Sequence, residues 1–361
     1  MRKKSGLLHT PVEPFIIAPG LTADDILTRM ERISFQGRTL GAARRVWERM
    51  LLDDVTIFLG IAGALSAGGL RLVLAHLITQ RYVDCVVSTG ANLYHDLHET
   101  RGLHHYIGSP VADDSALADA RVDRVYDTLA SEDEFCRNDE WIAQFAAELE
   151  PRPYTTRELL YRLGGHLWDT TGRDGILTAA YRANVPIFCP AIADSSIGMG
   201  LSQARQRHPG AGQVDVIGDI IESANVIIRR PRTASVVLGG GTPKNFINQA
   251  SVQAEYYSPD VTGHRYALQI VTDVPHYGGA SGSSLEEARS WGKLAADAAK
   301  VTVHADATIA LPILASGLAH FDRDLLARRR RPAFTLASGT MTIDRQSVPN
   351  DHFEEVNESA V

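Results

Sequence analysis

The 361 residues are 44% hydrophobic and 22% charged, with 30 Gly and 16 Pro. Those proportions exclude a wholly disordered chain, a collagen-like repeat and a disulfide scaffold. A net charge of −7, from 36 basic and 43 acidic residues, speaks against a general nucleic-acid binder. Cys85, Cys136 and Cys189 show no CxxC spacing, so no zinc site or disulfide framework is expected. A reducing, cytoplasmic setting fits.

No export signal is expected, because His9, Pro11 and Glu13 interrupt the segment after Met1–Lys4 where an apolar core belongs. Residues 1–20 contribute little core, and residues 21–50 read as helices packed on the outside. The most membrane-like stretch, Thr56 to Ile78, is interrupted by glycines, Arg71 and His76. It reads as a strand at Thr56–Gly60, a glycine turn, then a helix from about Ala67 to Thr79, and no membrane partner is expected. Further strands are predicted at Cys85–Thr89, Pro186–Ala191, Ser235–Leu238, Tyr266–Thr272 and Val301–His304. Helices are predicted at Thr156–Trp168, Gly175–Asn184, Val214–Asn225, Asn245–Ala254 and Leu285–Ala299.

Continuous apolar strands alternating with helices call for a parallel sheet covered on both faces. The expected fold is therefore α/β and doubly wound, mostly parallel and Rossmann-like, in one large domain. Its expected parts are an N-terminal helical extension (1–50), a catalytic α/β domain (51–321) and a basic, then polar, disordered tail (322–361). The Arg328–Arg331 run reads as a solvated boundary before that tail.

Ligands of such sheets bind at the carboxyl ends of the strands, where helix N-termini present free N–H groups to anions. Thr89 and Gly90 stand at one predicted strand end, and Asp194 beyond another. Gly239–Gly241 follow a third, Thr272 and Asp273 close a fourth, and Asp306 with Ala307 a fifth. Glycine admits a pyrophosphate and a strand-end carboxylate accepts ribose hydroxyls, so a nucleotide lying across these ends is the inference. The plainer alternatives are a tight turn for the glycines and helix caps for the aspartates. No GxGxxG follows the first strand, which disfavours an ordinary Rossmann dehydrogenase.

The other distinctive stretch is Ser283-Ser-Leu-Glu-Glu-Ala-Arg-Ser-Trp-Gly-Lys293. Ser283 or Ser284 can form a capping box with Glu286 or Glu287. On a regular helix Glu287 and Trp291 share a face, suited to holding a cationic amine between carboxylate and indole. Lys293 then falls roughly 200° away from Trp291, which reads as a solvent-facing lysine complementing the helix end unless Gly292 breaks the geometry.

The run Gly278–Lys293, with Glu287, Trp291-Gly-Lys293 and Ala305-Asp-Ala307, resembles the deoxyhypusine synthase family. So do Thr56-Ile-Phe-Leu-Gly60, Pro190-Ala-Ile-Ala-Asp194 with Ile197-Gly198, and Leu238-Gly-Gly-Gly241 with Lys244. The matches run in family order over about residues 30 to 320. The resemblance implies an NAD-dependent aminobutyl transfer: hydride leaves a polyamine carbon, Lys293 captures the butylimine, and a second amine collects it. A lysine serves this chemistry when burial or nearby cations destabilise its ammonium. The resemblance further assigns Glu287 and Trp291 to the polyamine. It assigns Thr89, Gly90, Asp194, Gly240, Gly241, Thr272, Asp273, Gly278, Asp306 and Ala307 to NAD, and implies a homotetramer.

This chain departs from the family at five positions. Met199 and Ala280 stand where the family has acids, Asn245 where it has a histidine beside the nicotinamide, His95 for a glutamate and Tyr277 for an aspartate. Asn245 and His95 are accordingly expected at the substrate. An ammonium stripped of its carboxylate costs on the order of 3 kcal/mol, about a hundredfold in affinity. The expected function is thus a deoxyhypusine synthase-like aminoalkyl transferase with an altered amine donor or acceptor. The alternatives are a homospermidine synthase-like enzyme, a noncatalytic NAD-binding relative, and an unrelated oxidoreductase using His95 or His98 as a proton relay.

Overall fold

A computed structural model describes residues 8–279, 283–321, 323–337, 339–344, 346 and 348–350. Helices α1 (Ala23–Met30) and α2 (Phe35–Leu52) precede β1 (Thr56–Ile61). A single π-turn at Ser66–Leu70 leads into α3 (Arg71–Thr79) and β2 (Cys85–Ser88). A long insertion follows: α4 (Gly90–Thr100), β3 (Tyr106–Ile107), α5 (Asp114–Asp119), β4 (Val122–Val125), β5 (Thr128–Ser131), α6 (Glu132–Glu148), α7 (Thr156–Thr171) and α8 (Ile176–Arg182). Then come β6 (Ile187–Phe188), α9 (Ser196–Arg207), α10 (Val216–Arg229), β7 (Thr233–Leu238), α11 (Gly241–Tyr257), β8 (His264–Ile270), β9 (Leu294–Val303) and α12 (Ala307–Leu318).

The central sheet is parallel throughout, in the order β6-β2-β1-β7-β8-β9. Numbered by their own succession these six strands run 3-2-1-4-5-6, the order of doubly wound dinucleotide-binding sheets. The expected fold class holds. Side chains alternate between two cores, as a pleated strand requires. Ile57, Leu59 and Ile61 enter the larger core, with Trp47, Leu74, Val236 and Leu268. Phe58, Cys85, Val87 and Phe188 enter the opposite one with Val226, Ile227 and Ile247.

Three expectations change. The N-terminal helices do not merely lie outside: Leu27 and Trp47 are fully buried, and Trp47 Nε1 donates to Tyr82 O at 3.2 Å. The helix expected over Leu285–Ala299 is absent, replaced by a 3₁₀ turn at Glu287–Trp291 followed directly by β9. Nor is the arginine run simply solvated. Arg329 is fully buried in a two-pronged pair with Asp84, 2.5 and 3.1 Å, adding to the Arg81 guanidinium at 3.8 Å the close partner a buried carboxylate requires. The segment around it packs rather than trailing away: Phe334, Leu336 and Met341 join the second core, and Arg157 donates to Leu336 O and Gly339 O at 3.1 and 2.9 Å.

Candidate functional site

The switch point of this sheet lies between β1 and β7, whose onward connections leave for opposite faces. Gly239 and Gly241 there adopt positive φ, +79° and +57°, and Gly63 beyond β1 lies at +69°. A Cβ on Gly239 would stand 3.1 Å from that of Ala62, so the two loops touch, while nothing lies within 4 Å of a Cβ on Gly63. Gly240 opens α11 with no side-chain cap, at a helix start of the kind that binds anions.

The neighbouring end is tied to this one. Thr89 Oγ1 caps α4, accepting from Asn92 N at 3.4 Å, and donates to Gly63 O at 2.7 Å. Gly90 has no room for a side chain, because Ser195 packs against it. Ser195 caps α9, placing the exposed Asp194 just before that helix. On the other side Asp306 caps α12, accepting from Thr308 N and Oγ1 at 2.7 Å each, and Asp273 accepts from Val274 N at 2.9 Å. The plain cap reading therefore describes Asp306. Thr272 is exposed, and Gly278, at φ +77°, ends the 3₁₀ turn Pro275–Tyr277. Thr89, Gly90, Asp194, Gly240, Gly241, Thr272, Asp273, Gly278, Asp306 and Ala307 thus all stand along the carboxyl edge of the sheet.

Lys293 stands elsewhere: it directly precedes Leu294, which opens β9 and pairs with His264 at the start of the parallel β8, so its backbone lies at the amino end of these strands. The capping box forms as expected between Ser284 and Glu287: Ser284 N donates to Glu287 Oε2 at 2.7 Å, and Glu287 N to Ser284 Oγ at 3.1 Å. It caps a 3₁₀ turn, however, in which residues four apart lie about 120° apart around the axis. The shared helical face expected for Glu287 and Trp291 does not exist. Gly292 then takes a left-handed conformation, φ +69°, and Lys293 N donates back to Ala288 O at 3.0 Å. That reversal folds Lys293 onto the indole, its Nζ 5.5 Å from the Trp291 centroid. The lysine is half-buried, not solvent-facing.

Two further features fix it. Gly263 lets the strands close: a Cβ there would stand 2.5 Å from Gly292 O, and His264 N donates to Lys293 O at 3.0 Å. Lys244, in the first turn of α11, is almost fully buried, and its Nζ donates to Ser283 O at 2.6 Å. Burial first, and then the charge of Lys293, draw Lys244 down to about 8, with Glu287 opposing. A lysine one turn inside a helix carries no mark of burial.

The remaining expected residues are dispersed. Asn245 is exposed beside Lys244, Tyr277 and Met199 are exposed, and Ala280 lies outside the described residues. His95 belongs to α4, against the β2 half of the sheet. Four strand spacings, about 19 Å, separate β2 from β9, so one chain does not bring His95 and Lys293 to the same atom. A cavity of about 580 Å³ beside Asp194, lined by Ile192, Leu201, Arg205 and Val214, includes none of the residues around Lys293. Among the described residues no helix is long and apolar enough to cross a membrane.

The deoxyhypusine synthase family model matches residues 25–318. The chain belongs to the deoxyhypusine synthase family. A Methanosarcina mazei protein described as "Probable deoxyhypusine synthase 2" is 44% identical over 329 residues, 91% of this chain and 94% of the relative. A "Deoxyhypusine synthase-like protein" of Coxiella burnetii is 38% identical over 322 residues, 88% of this chain and 91% of the relative. The crystal structure of an Entamoeba histolytica protein assigned as a deoxyhypusine synthase superposes with a TM-score of 0.58 at 19% identity, covering 85% of this chain and 96% of the other. At that identity the likeness supports the family fold.

Proposed function

We propose that this deoxyhypusine synthase relative is an NAD-dependent aminoalkyl transferase that carries its cargo on Lys293. The observation carrying the proposal is the setting of that amine, with its Nζ over the Trp291 face and the buried Lys244 among its neighbours. The indole stabilises whichever cationic form the bound nitrogen takes.

The open glycine turns at the switch point and the uncapped start of α11 fit a dinucleotide, with Gly240 and Gly241 at its pyrophosphate and Asp194 and Asp273 toward its riboses. NAD, when bound, supplies the hydride acceptor for amine oxidation and returns the hydride at the end of the cycle. Lys293 Nζ displaces the donor's remaining amine to hold the alkyl group as an imine, and an acceptor amine then displaces Lys293. Trp291 and Glu287 orient the cationic substrate, a diamine or polyamine. The replacements at Met199, Asn245 and Tyr277 favour a donor or acceptor other than those of the family. We place the enzyme in the cytoplasm as a homotetramer, as the family resemblance implies.

The test is to mix the protein with NAD and single amines, including 1,4-diaminobutane and spermidine, and quantify the amine fragment released. Release that disappears in Lys293→Ala supports the transferase. NAD binding with no amine-dependent change in its absorbance contradicts it.

A further inference from the structure

Beyond residue 318, where the family match ends, a strap of chain is tied to the amino ends of β1 and β2. Its two ends meet. Arg330 and Arg331 pair antiparallel with Pro349 and Val348, and Asn350 N donates to Ala327 O at 3.1 Å. Arginines seat it on the sheet. Besides reaching Asp84, Arg329 donates from Nη1 to Arg81 O at 2.8 Å and from Nη2 to Val55 O at 3.3 Å. From the body, Arg81 Nη1 donates to Ala183 O at 2.5 Å and Nη2 to Pro332 O at 3.5 Å. Arg331 Nε donates to Asn350 Oδ1 at 3.0 Å.

The charges at this junction do not balance. Arg81 and Arg329 are 2% and 3% exposed and share the carboxylate of Asp84. Burial draws Arg81 down to about 9; Asp84 opposes that, while Arg331 and Arg329 add to it. A buried cation without a counter-charge of its own is costly. Nor are the donors all used. Arg81 Nε, Arg329 Nε and the Nδ2 of Asn350, itself fully buried, are sealed from solvent, and no described residue accepts from any of them. Native interiors leave few such donors unmatched.

These donors select a kind of partner. The terminal nitrogens of both guanidinium groups are engaged with carbonyls and Asp84, so neither offers the two-pronged fork that suits a carboxylate or phosphate. Each arginine has one N–H left, and Asn350 has its amide. Single donors from separate side chains suit a spherical ion.

We infer that Arg81, Arg329 and Asn350 form a halide site, in which one buried chloride-sized anion supplies the second counter-charge and ties the strap to the sheet. Arg81 comes from the body, just after α3; Arg329 and Asn350 come from the two ends of the strap. Halide binding is thereby coupled to the seating of Phe334, Leu336 and Met341 in the second core. The site lies at the opposite edge of the sheet from the glycine turns, so it stands apart from the transferase reading.

The test uses bromide, which stands in for chloride and scatters anomalously. A crystal of the full chain grown without chloride and soaked in sodium bromide should show an anomalous peak in contact with the three nitrogens. In solution, with ionic strength held by sodium isethionate, the thermal midpoint should rise by about 2–4 °C between about 1 and about 100 mM bromide. Asn350→Asp keeps the side-chain shape and an acceptor for Arg331 but supplies a fixed negative charge, so its midpoint should not respond. Arg81→Met makes the same comparison from the body side. General salt effects act on wild type and variants alike, so a wild type that responds no more than they do overturns the inference. A soaked crystal without a peak at the three nitrogens also overturns it. A peak without a difference in response marks an adventitious ion only and overturns it as well.

Discussion

Lys293 Nζ stands 5.5 Å from the centroid of Trp291, with one left-handed glycine between the two residues. Sequence neighbours two apart do not share a face of an α-helix. They meet here because Gly292 reverses the chain between a capped 3₁₀ turn and an edge strand.

Gly292→Ala should therefore affect both stability and chemistry. A Cβ at φ +69° costs about 1–2 kcal/mol and would stand 3.2 Å from Glu255 Oε2. Urea unfolding should show that loss, and the amount of amine released per enzyme should fall further than stability alone explains.

Lys244→Met tests the second lysine. Burial holds the folded pKa of Lys244 near 8, below its unfolded value, so the unfolded chain binds more protons between about pH 8 and 10.4. Wild-type stability should rise relative to Lys244→Met as pH climbs through that window. Paired unfolding curves at pH 7.5 and 10 measure the difference.

The arrangement of β1, β2, β7 and β8 was legible because strands buried on both faces read as nearly continuous apolar runs, as in Thr56–Ile61 and Thr233–Leu238, which are buried at every position. The strands of the insertion, β3–β5, escaped because they are short and only one of their residues, Ala130, is fully buried, so no apolar run marks them. The residues at strand ends were visible as glycines and aspartates, whereas the helix expected over Leu285–Ala299 failed on Gly292. Its alanine-rich continuation suits a helix locally but forms an edge strand, because pairing with β8 outweighs propensity. Partnerships between distant residues, such as Asp84 with Arg329, left no trace in local pattern.

That last pair makes its own prediction. Both side chains are fully buried, so Arg329→Ala strips Asp84 of its two-pronged partner, leaves it only Arg81 at 3.8 Å as a cation, and should cost about 3 kcal/mol. Replacing Asp84 by Asn in the same chain should recover part of the loss, which a double-mutant cycle in urea resolves.

Asp219 offers a pH signature with the opposite sign to Lys244. Burial pushes its carboxyl up to about 7, against hydrogen bonds from Thr156 and Arg157. The folded chain holds that proton more tightly than the unfolded one, so its ionisation removes stability as pH rises from about 4 through 7. The stability of wild type relative to Asp219→Asn should decline over that range, and unfolding midpoints at pH 4.5 and 8 check it.

The most direct measurement is borohydride reduction during turnover with NAD and an amine, followed by peptide mass mapping. An aminoalkyl group of the donor's mass on Lys293, absent without NAD, is the predicted result. No mass gain with any amine tried, or an NAD-dependent gain that persists on another lysine in Lys293→Ala, would contradict it.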